Sequence, residues 1–162
     1  MVRIISAAAV AAVLAGAVSA QVPIPVLVGK LGSMDCNRSR LQLVRAISST
    51  AENMLKINAA SDPSLAQVVD TATGGLSAAG QGIRGVADSA LATGDIPGNS
   101  NMVIGQGILT TYNALKGVQS ADPGVTASKQ TIITAIKAGK AVLEKCGAGV
   151  GGPAPPAPAE IQ

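Results

Sequence analysis

The sequence predicts an all-α fold: a four-helix up-down-up-down bundle built from two similar helical hairpins and closed by one disulfide. Three observations predict it: a segment that recurs 60 residues later, an apolar seam at helical spacing, and two cysteines near the ends of the helical region. The recurring segment is 53–63, N-M-L-K-I-N-A-A-S-D-P, and segment 113–123, N-A-L-K-G-V-Q-S-A-D-P, repeats five of its eleven residues. Recurrence at a fixed period indicates a repeated structural unit.

Each copy of the recurring segment is typical of a corner between two helices. Asp62 and Asp122 can cap a helix, because a carboxylate accepts hydrogen bonds from the free N–H groups of the first turn. Pro63 and Pro123 suit the first helical position, where a missing N–H loses nothing. Residues before a proline avoid the α region, so the preceding helix must end there. Asp-Pro alone would be weak evidence for a repeat, but Asn, Leu and Lys match at the same offset.

An apolar seam extends the helical register on both sides of the corners. Its residues after the first corner alternate at spacings of four and three, as on one face of a helix. They are Leu65, Val69, Ala72, Leu76, Ala79, Ile83, Val86 and Ala90. Shifted by 60, the seam continues through residues 132–146 with Lys129 as its one polar exception. Upstream, the same shift maps residues 44–58 onto 104–118.

The helices are predicted at residues 35–60, 63–93, 100–120 and 123–146, with a loop at 94–99. The first helix carries two adjacent apolar stripes, which predict a broad buried face. One stripe is Leu41, Val44, Ser48, Ala51 and Leu55, and the other is Leu43, Ile47, Met54 and Ile57. Glu52 and Lys56 have the spacing of an outward-facing i,i+4 ion pair.

The second helix contains five glycines, each of which disfavours a helix by roughly 1 kcal/mol relative to alanine. Because the apolar seam runs through them without interruption, we expect packing to outweigh propensity. The small residues would then allow a neighbouring helix to approach closely. A kink at Gly74-Gly75 is the alternative.

The segments that flank the bundle differ from it in composition. Residues 1–20 are typical of a secretory signal, with Arg3, an apolar run and small residues at 18–20, and the run is too short to span a bilayer. Residues 21–34 are predicted to be extended, either as a strap on the bundle or as a flap for apolar contact. The candidate contact residues are Val22, Ile24, Val26, Leu27 and Val28. Residues 148–162 are predicted to be a flexible Gly/Pro/Ala-rich tail.

The two cysteines, Cys36 and Cys146, lie at the start of the first helix and the end of the fourth. These two ends meet in an up-down-up-down bundle, and an exported protein can form disulfides. Closing such a loop stabilises a fold by roughly 4.7 kcal/mol in the chain-entropy model. This would support a core with a single aromatic residue, Tyr112. Beside Cys36, Asn37-Arg38-Ser39 is a sequon, so Asn37 is a candidate N-glycosylation site.

Catalytic groups are sparse, and we predict that the protein is not an enzyme and takes no cofactor or metal. The chain has no histidine, so the commonest general base and metal ligand is missing. Asp35, Asp62 and Asp122 are interpreted as helix caps, which leaves Asp70 as the one carboxylate without a structural role. The glycines at 80–85 match G-x-G-x-x-G, but that motif requires a preceding strand.

The formal charge is +3, and its cations form two groups that could face the same end of the bundle. These are Arg38, Arg40 and Arg45 on the first helix, and Lys137, Lys140 and Lys145 on the fourth. We interpret them as a solvated face. Nucleic acid is an unfavoured partner, because the chain has neither a concentrated basic stripe nor an aromatic platform for bases.

Two main classes of function fit these features. In the first, a secreted extracellular bundle acts without turnover by binding or coating an apolar surface, a matrix or a protein partner. In the second, it carries a small apolar, lipid-like ligand between its helices. An effector that binds a host protein would have the same features. In composition and architecture, though not in any motif, the layout is similar to small secreted cell-surface bundles such as the fungal hydrophobic-surface-binding proteins.

Overall fold

The computed structural model describes residues 33–60, 62–92 and 98–146, and all of the regular structure in these ranges is helical. The helices are α1 (Met34–Met54), α2 (Pro63–Ala92), α3 (Gly98–Lys116) and α4 (Pro123–Lys145). The all-α prediction is therefore confirmed. The predicted signal, the tail and most of the extended segment lie outside the described residues. So do its candidate contact residues, Val22, Ile24, Val26, Leu27 and Val28.

Helix α1 begins and ends differently from the prediction. Ser33 is its N-cap, with the Cys36 N–H donating to Ser33 Oγ at 3.2 Å, so Asp35 is in the first turn and does not cap. A carboxylate there still interacts favourably with the helix dipole. The helix ends at Met54, six residues before the predicted boundary at 60. The predicted Glu52–Lys56 ion pair is consequently absent, and Lys56 Nζ donates to Asn53 Oδ1 at 3.4 Å.

The two predicted stripes of α1 also have different fates. The stripe of Leu43, Ile47, Met54 and Ile57 is buried. In the other stripe, Leu41 is 50% exposed and Leu55 is 52% exposed. The buried face instead includes Ala46 and Thr50, which lie toward α4. One stripe therefore packs in the core and the other forms its half-exposed edge.

The helices pack as two close pairs. The backbone of α1 approaches that of α4 most closely, and α2 does the same with α3, whereas approaches between the pairs are fewer. Both pairs are antiparallel, since Cys36 and Thr50 of α1 contact Cys146 and Thr131 of the α4 side respectively. In the α2/α3 pair, Gly75 and Gly82 meet positions 107–111 and 100–104.

Small residues make the α2/α3 contact, as predicted for the glycines of α2. A Cβ atom on Gly75 would lie 2.7 Å from the Gly107 carbonyl oxygen, so no side chain fits there without movement. A Cβ on Gly107 would in turn lie 2.6 Å from the Ala79 nitrogen. Helix α2 is assigned as one uninterrupted helix across Gly74 and Gly75. The contact with α3 accounts for its persistence despite the low helix propensity of glycine.

A single aliphatic cluster joins all four helices. Its large members are Leu43, Ile47, Met54, Leu65, Leu76, Ile104, Ile108, Leu115, Val125 and Ile132. The predicted seam of α2 is buried or partly buried along its whole length. None of the four helices in the described part of the chain is both long and apolar enough to cross a membrane.

Candidate interaction surfaces

The α1/α4 pair is held at two levels. The predicted disulfide joins Cys36 to Cys146, with their Cα atoms 4.8 Å apart. Further along the pair, Thr50 Oγ1 donates to Thr131 Oγ1 at 2.9 Å. A covalent bond at one end and a buried hydrogen bond farther along make α1 and α4 one mechanical unit.

The connections α1–α2 and α3–α4 contact each other through Asp122. The Asn58 N–H donates to Asp122 Oδ2 at 3.0 Å, and the Gly124 N–H donates to Oδ1 at 2.7 Å. These bonds favour the ionised carboxylate. The hydrogen bond from Asn58, followed by those from Gly124 and Val125, lowers the pKa of Asp122 against a smaller opposing effect of desolvation. Asp122 thus caps α4, as predicted, and also joins the two corners.

The other predicted cap and the one polar seam residue also have structural roles. Asp62 Oδ1 accepts from the Ser64 N–H at 3.0 Å at the start of α2. Lys129, which interrupts the seam in the sequence, donates from Nζ to the Val118 carbonyl oxygen just beyond α3. A cation at a helix C-terminus satisfies a free carbonyl and complements the helix dipole. Lys129 therefore fastens α4 to the α3–α4 connection.

Four exposed large apolar residues lie near helix ends remote from these corners. They are Met34 at the start of α1, Leu91 at the end of α2, and Met102 and Val103 in the first turns of α3. The disulfide is at the same end, because it joins the start of α1 to the end of α4. We call this the disulfide end of the bundle.

The two predicted groups of cations meet on the α1/α4 pair. Arg45 and Lys137 are exposed and line one groove of about 500 Å³ between the two helices. Arg40 is half-buried, and desolvation lowers its pKa. Lys140 instead pairs with Glu144 at 4.0 Å. The sequence identified the cations, but the groove depends on the alignment of α1 against α4.

The candidate glycosylation residue, Asn37, is half-buried in the first turn of α1. Ser39 of the same sequon is buried, and its hydroxyl donates to the Asp35 carbonyl oxygen at 2.9 Å. Glycosylation of Asn37 stays a prediction. Because a transferase must bind the hydroxyl of the sequon, modification would have to occur before this turn has folded.

Buried hydroxyl groups were not identified as a feature by the sequence analysis. Ser39, Thr50, Thr111 and Ser128 are all buried. Thr111 was placed in the seam but treated as a tolerated member of it. The available signal was a Ser or Thr at an apolar position of the heptad pattern, where its hydroxyl can bond a carbonyl of the preceding turn.

The described part of the chain offers few groups for catalysis. No cluster of three metal-ligating side chains occurs within it, and Asp70 is exposed on α2. No protein-family model, curated protein or solved structure matches the chain. The functional argument therefore depends on the packing and the surfaces of the bundle.

Proposed function

We propose that the protein is a secreted, non-catalytic bundle that binds or coats an apolar surface, parting the α1/α4 pair from the α2/α3 pair as it does so. The observation that carries this proposal is the division of the helices into two close pairs that share one aliphatic cluster. Small residues bring the backbones together within the α2/α3 pair. Parting the two pairs would keep that contact and expose the aliphatic side chains.

The chain connectivity favours opening at the disulfide end. The two pairs are linked covalently only through the corners at residues 55–62 and 117–122, which contact each other through Asn58 and Asp122. A hinge at the corners would swing the opposite ends apart, while the disulfide holds α1 to α4. The exposed Met34, Leu91 and Met102 are near that opening end, where the extended segment 21–34 also joins α1.

The free-energy balance also favours adsorption. Removing apolar area from water is worth roughly 25 cal/mol per Å², so aliphatic area exposed by opening is compensated when it contacts an apolar surface. With one aromatic in the chain, the core offers less resistance to opening than an aromatic-rich core, since each aromatic buries about 150–250 Å². Helical hydrogen bonds need not break in this process.

We propose the up-down-up-down topology and the duplication as part of the same picture. Both close pairs are antiparallel, and the two Asp-Pro corners each begin a helix. Thr50 and Thr111 are buried and each donates to the carbonyl oxygen four residues earlier. Their separation is 61 residues, whereas Leu65 and Val125 are 60 apart. A one-residue shift between the hairpins would explain both offsets.

Two alternatives share the same bundle. A carrier would hold an apolar ligand against the aliphatic cluster between the pairs, with the same opening as its entry route. A protein or matrix partner, including a host protein bound by an effector, would use the exposed residues of the closed bundle. The three functions differ in what co-purifies and in whether the bundle opens.

The test of adsorption uses Tyr112, the single aromatic residue of the chain. Tyr112 is partly buried against the core, with Lys116 Nζ 5.9 Å from its ring centroid. On alkyl-coated beads we expect its fluorescence to change and its quenching by acrylamide to rise, while circular dichroism retains the helical signal. Adsorption without any change at Tyr112 would contradict opening of the bundle.

A second comparison separates the three functions. Native mass spectrometry of the secreted protein, followed by lipid extraction, is run beside the adsorption assay with and without residues 21–32. Adsorption that weakens on this deletion, without bound lipid, is the result we expect. A stoichiometric lipid without adsorption would favour the carrier, and the absence of both would favour a protein partner.

A further inference from the structure

The charges of the described helices are distributed unevenly between the two pairs. Helices α1 and α4 carry seven cations and three carboxylates, whereas α2 and α3 carry two of each. The seven cations are Arg38, Arg40, Arg45, Lys129, Lys137, Lys140 and Lys145. A local excess of one sign attracts the opposite charge. The α1/α4 pair is therefore the side of the bundle that an anion would approach.

A groove between α1 and α4 concentrates this excess. It has a volume of about 500 Å³ and is lined by Gln42, Arg45, Ala46, Ser49, Thr131, Thr134, Lys137, Ala138 and Ala141. The α1 members are spaced three and four residues apart, so they occupy one helical face. Two cations and three further side chains with polar hydrogens, Gln42, Ser49 and Thr134, surround a floor of alanine.

The groove lacks a countercharge of its own. No carboxylate is among its lining residues. The one ion pair found within the described helices joins Lys140 to Glu144, and both of these residues lie outside the groove. Arg45 and Lys137 therefore face one space from opposite helices without a neutralising group in it.

We propose that this groove binds a phosphate ester, with Arg45 and Lys137 as its charged ligands. A guanidinium can donate two parallel hydrogen bonds to phosphate, and a lysine ammonium supplies a point charge. The hydroxyl and amide groups of Ser49, Thr134 and Gln42 can donate to the remaining oxygens. This site is separate from the apolar cluster, so it does not depend on the adsorption proposed above.

The size and floor of the groove favour a phosphate that carries an organic group. A bare phosphate would fill a small part of about 500 Å³. The methyl groups of Ala46, Ala138 and Ala141 provide an apolar floor for a glycerol or acyl portion. A phospholipid headgroup and a soluble phosphate ester share this chemistry, and the experiment must separate these two sources.

The experiment measures binding of the full secreted chain to two kinds of probe. Glycerol 3-phosphate is titrated against ¹⁵N-labelled protein by NMR, with inorganic phosphate beside it. Sedimentation is measured with phosphatidylcholine vesicles with and without phosphatidylglycerol. Arg45→Gln and Lys137→Gln are compared with Arg38→Gln and Lys140→Gln, which change the charge equally on the same helices but lie outside the groove.

We expect amide shifts within residues 42–49 and 131–141. We also expect each groove variant to bind at least about tenfold more weakly, as lost charged hydrogen bonds imply. The two control variants should lose less than about twofold. Binding of glycerol 3-phosphate would identify a soluble source, and binding of phosphatidylglycerol vesicles alone would identify a lipid headgroup. Equal losses in groove and control variants would mean diffuse attraction and overturn the proposal, as would no binding to either probe. Circular dichroism checks that every variant is folded.

Discussion

At the scale of single residues, the buried hydroxyl groups have local roles within an otherwise apolar interior. Thr111 Oγ1 donates to the Gly107 carbonyl oxygen at 2.9 Å in its own helix and to the Ala72 carbonyl oxygen of α2 at 3.0 Å. Its side chain also lies where a Cβ on Gly75 would come within 2.5 Å of it. Thr111 is therefore a hydrogen-bonded spacer at the closest part of the α2/α3 contact.

We expect Thr111→Val to lower the free energy of unfolding by about 1 kcal/mol, because a buried hydrogen bond is lost at nearly constant volume. Thr110→Val, at the adjacent exposed position, is the matched control and should change stability by less than about 0.5 kcal/mol. Urea denaturation followed by circular dichroism measures both values. Equal effects of the two substitutions would contradict the role assigned to Thr111.

The carboxylate of Asp122 predicts a dependence of stability on pH. Its pKa is lowered in the folded state, so the unfolded chain binds this proton more readily. The stabilising contribution is therefore complete above the ordinary aspartate pKa and is lost as the pH falls through the lower folded value. Asp122→Asn keeps a capping side chain but removes the charge.

We expect Asp122→Asn to flatten the fall in stability below about pH 4, relative to the unsubstituted protein. Asp70→Asn removes the same charge from an exposed position on α2 and should leave that fall in place. Thermal unfolding at a series of pH values compares the three proteins. An unchanged slope in Asp122→Asn would show that the joined corners do not depend on the ionised carboxylate.

At the scale of the helices, two adjacent glycines in α2 have opposite surroundings. A Cβ on Gly74 would have no atom within 4 Å, whereas one on Gly75 would overlap Thr111 and the Gly107 carbonyl group. Helix propensity is the same for both positions, so any difference between them must come from the contact with α3.

We therefore expect Gly74→Ala to raise the free energy of unfolding by about 0.5–1 kcal/mol. Gly75→Ala should lower it by about 1–3 kcal/mol, because an overpacked site must shift the neighbouring backbone. Chemical denaturation of the pair provides the measurement. If both substitutions stabilise the protein, α2 and α3 are not in close contact in solution.

Helix α1 shows how a neighbouring element determines where a helix ends. After Met54, the Lys56 and Ile57 N–H groups donate to the carbonyl oxygens three residues earlier, at Asn53 and Met54. Ile57 is then buried where a Cβ on Gly124 would lie 2.9 Å from its Cγ1 atom. The apolar pattern continues through Ile57, which is why the sequence alone predicted a longer helix.

At the scale of the whole molecule, the disulfide joins residues 110 apart in the chain. A link over this distance restricts the unfolded chain strongly, which stabilises the native state by roughly 4 kcal/mol or more in the chain-entropy model. It connects α1 to α4 within one close pair and does not bridge the two pairs. Opening of the bundle at the disulfide end is thus compatible with an intact bond.

We expect the double variant Cys36→Ala/Cys146→Ala to lose about 2–5 kcal/mol of stability. Reduction of the unsubstituted protein with dithiothreitol should give a similar loss and serves as the control for the alanine side chains. The midpoint of guanidinium denaturation reports both. A loss below about 1 kcal/mol would mean that the packing of α1 on α4 alone already holds the two ends together.

The sequence by itself determined the all-helical class, the starts of α2 and α4, and the pair of cysteines that could be joined. These features depend on local chemistry, because Asp-Pro caps and heptad spacing act within a few residues, or on simple chain connectivity. The tertiary structure decided which stripe of α1 is buried, which helices form the close pairs, and that Lys129 serves a carbonyl group of another segment. Those outcomes depend on where neighbouring backbones approach. The groove containing Arg45 and Lys137 has the same origin, since its two walls meet only when α1 and α4 are aligned.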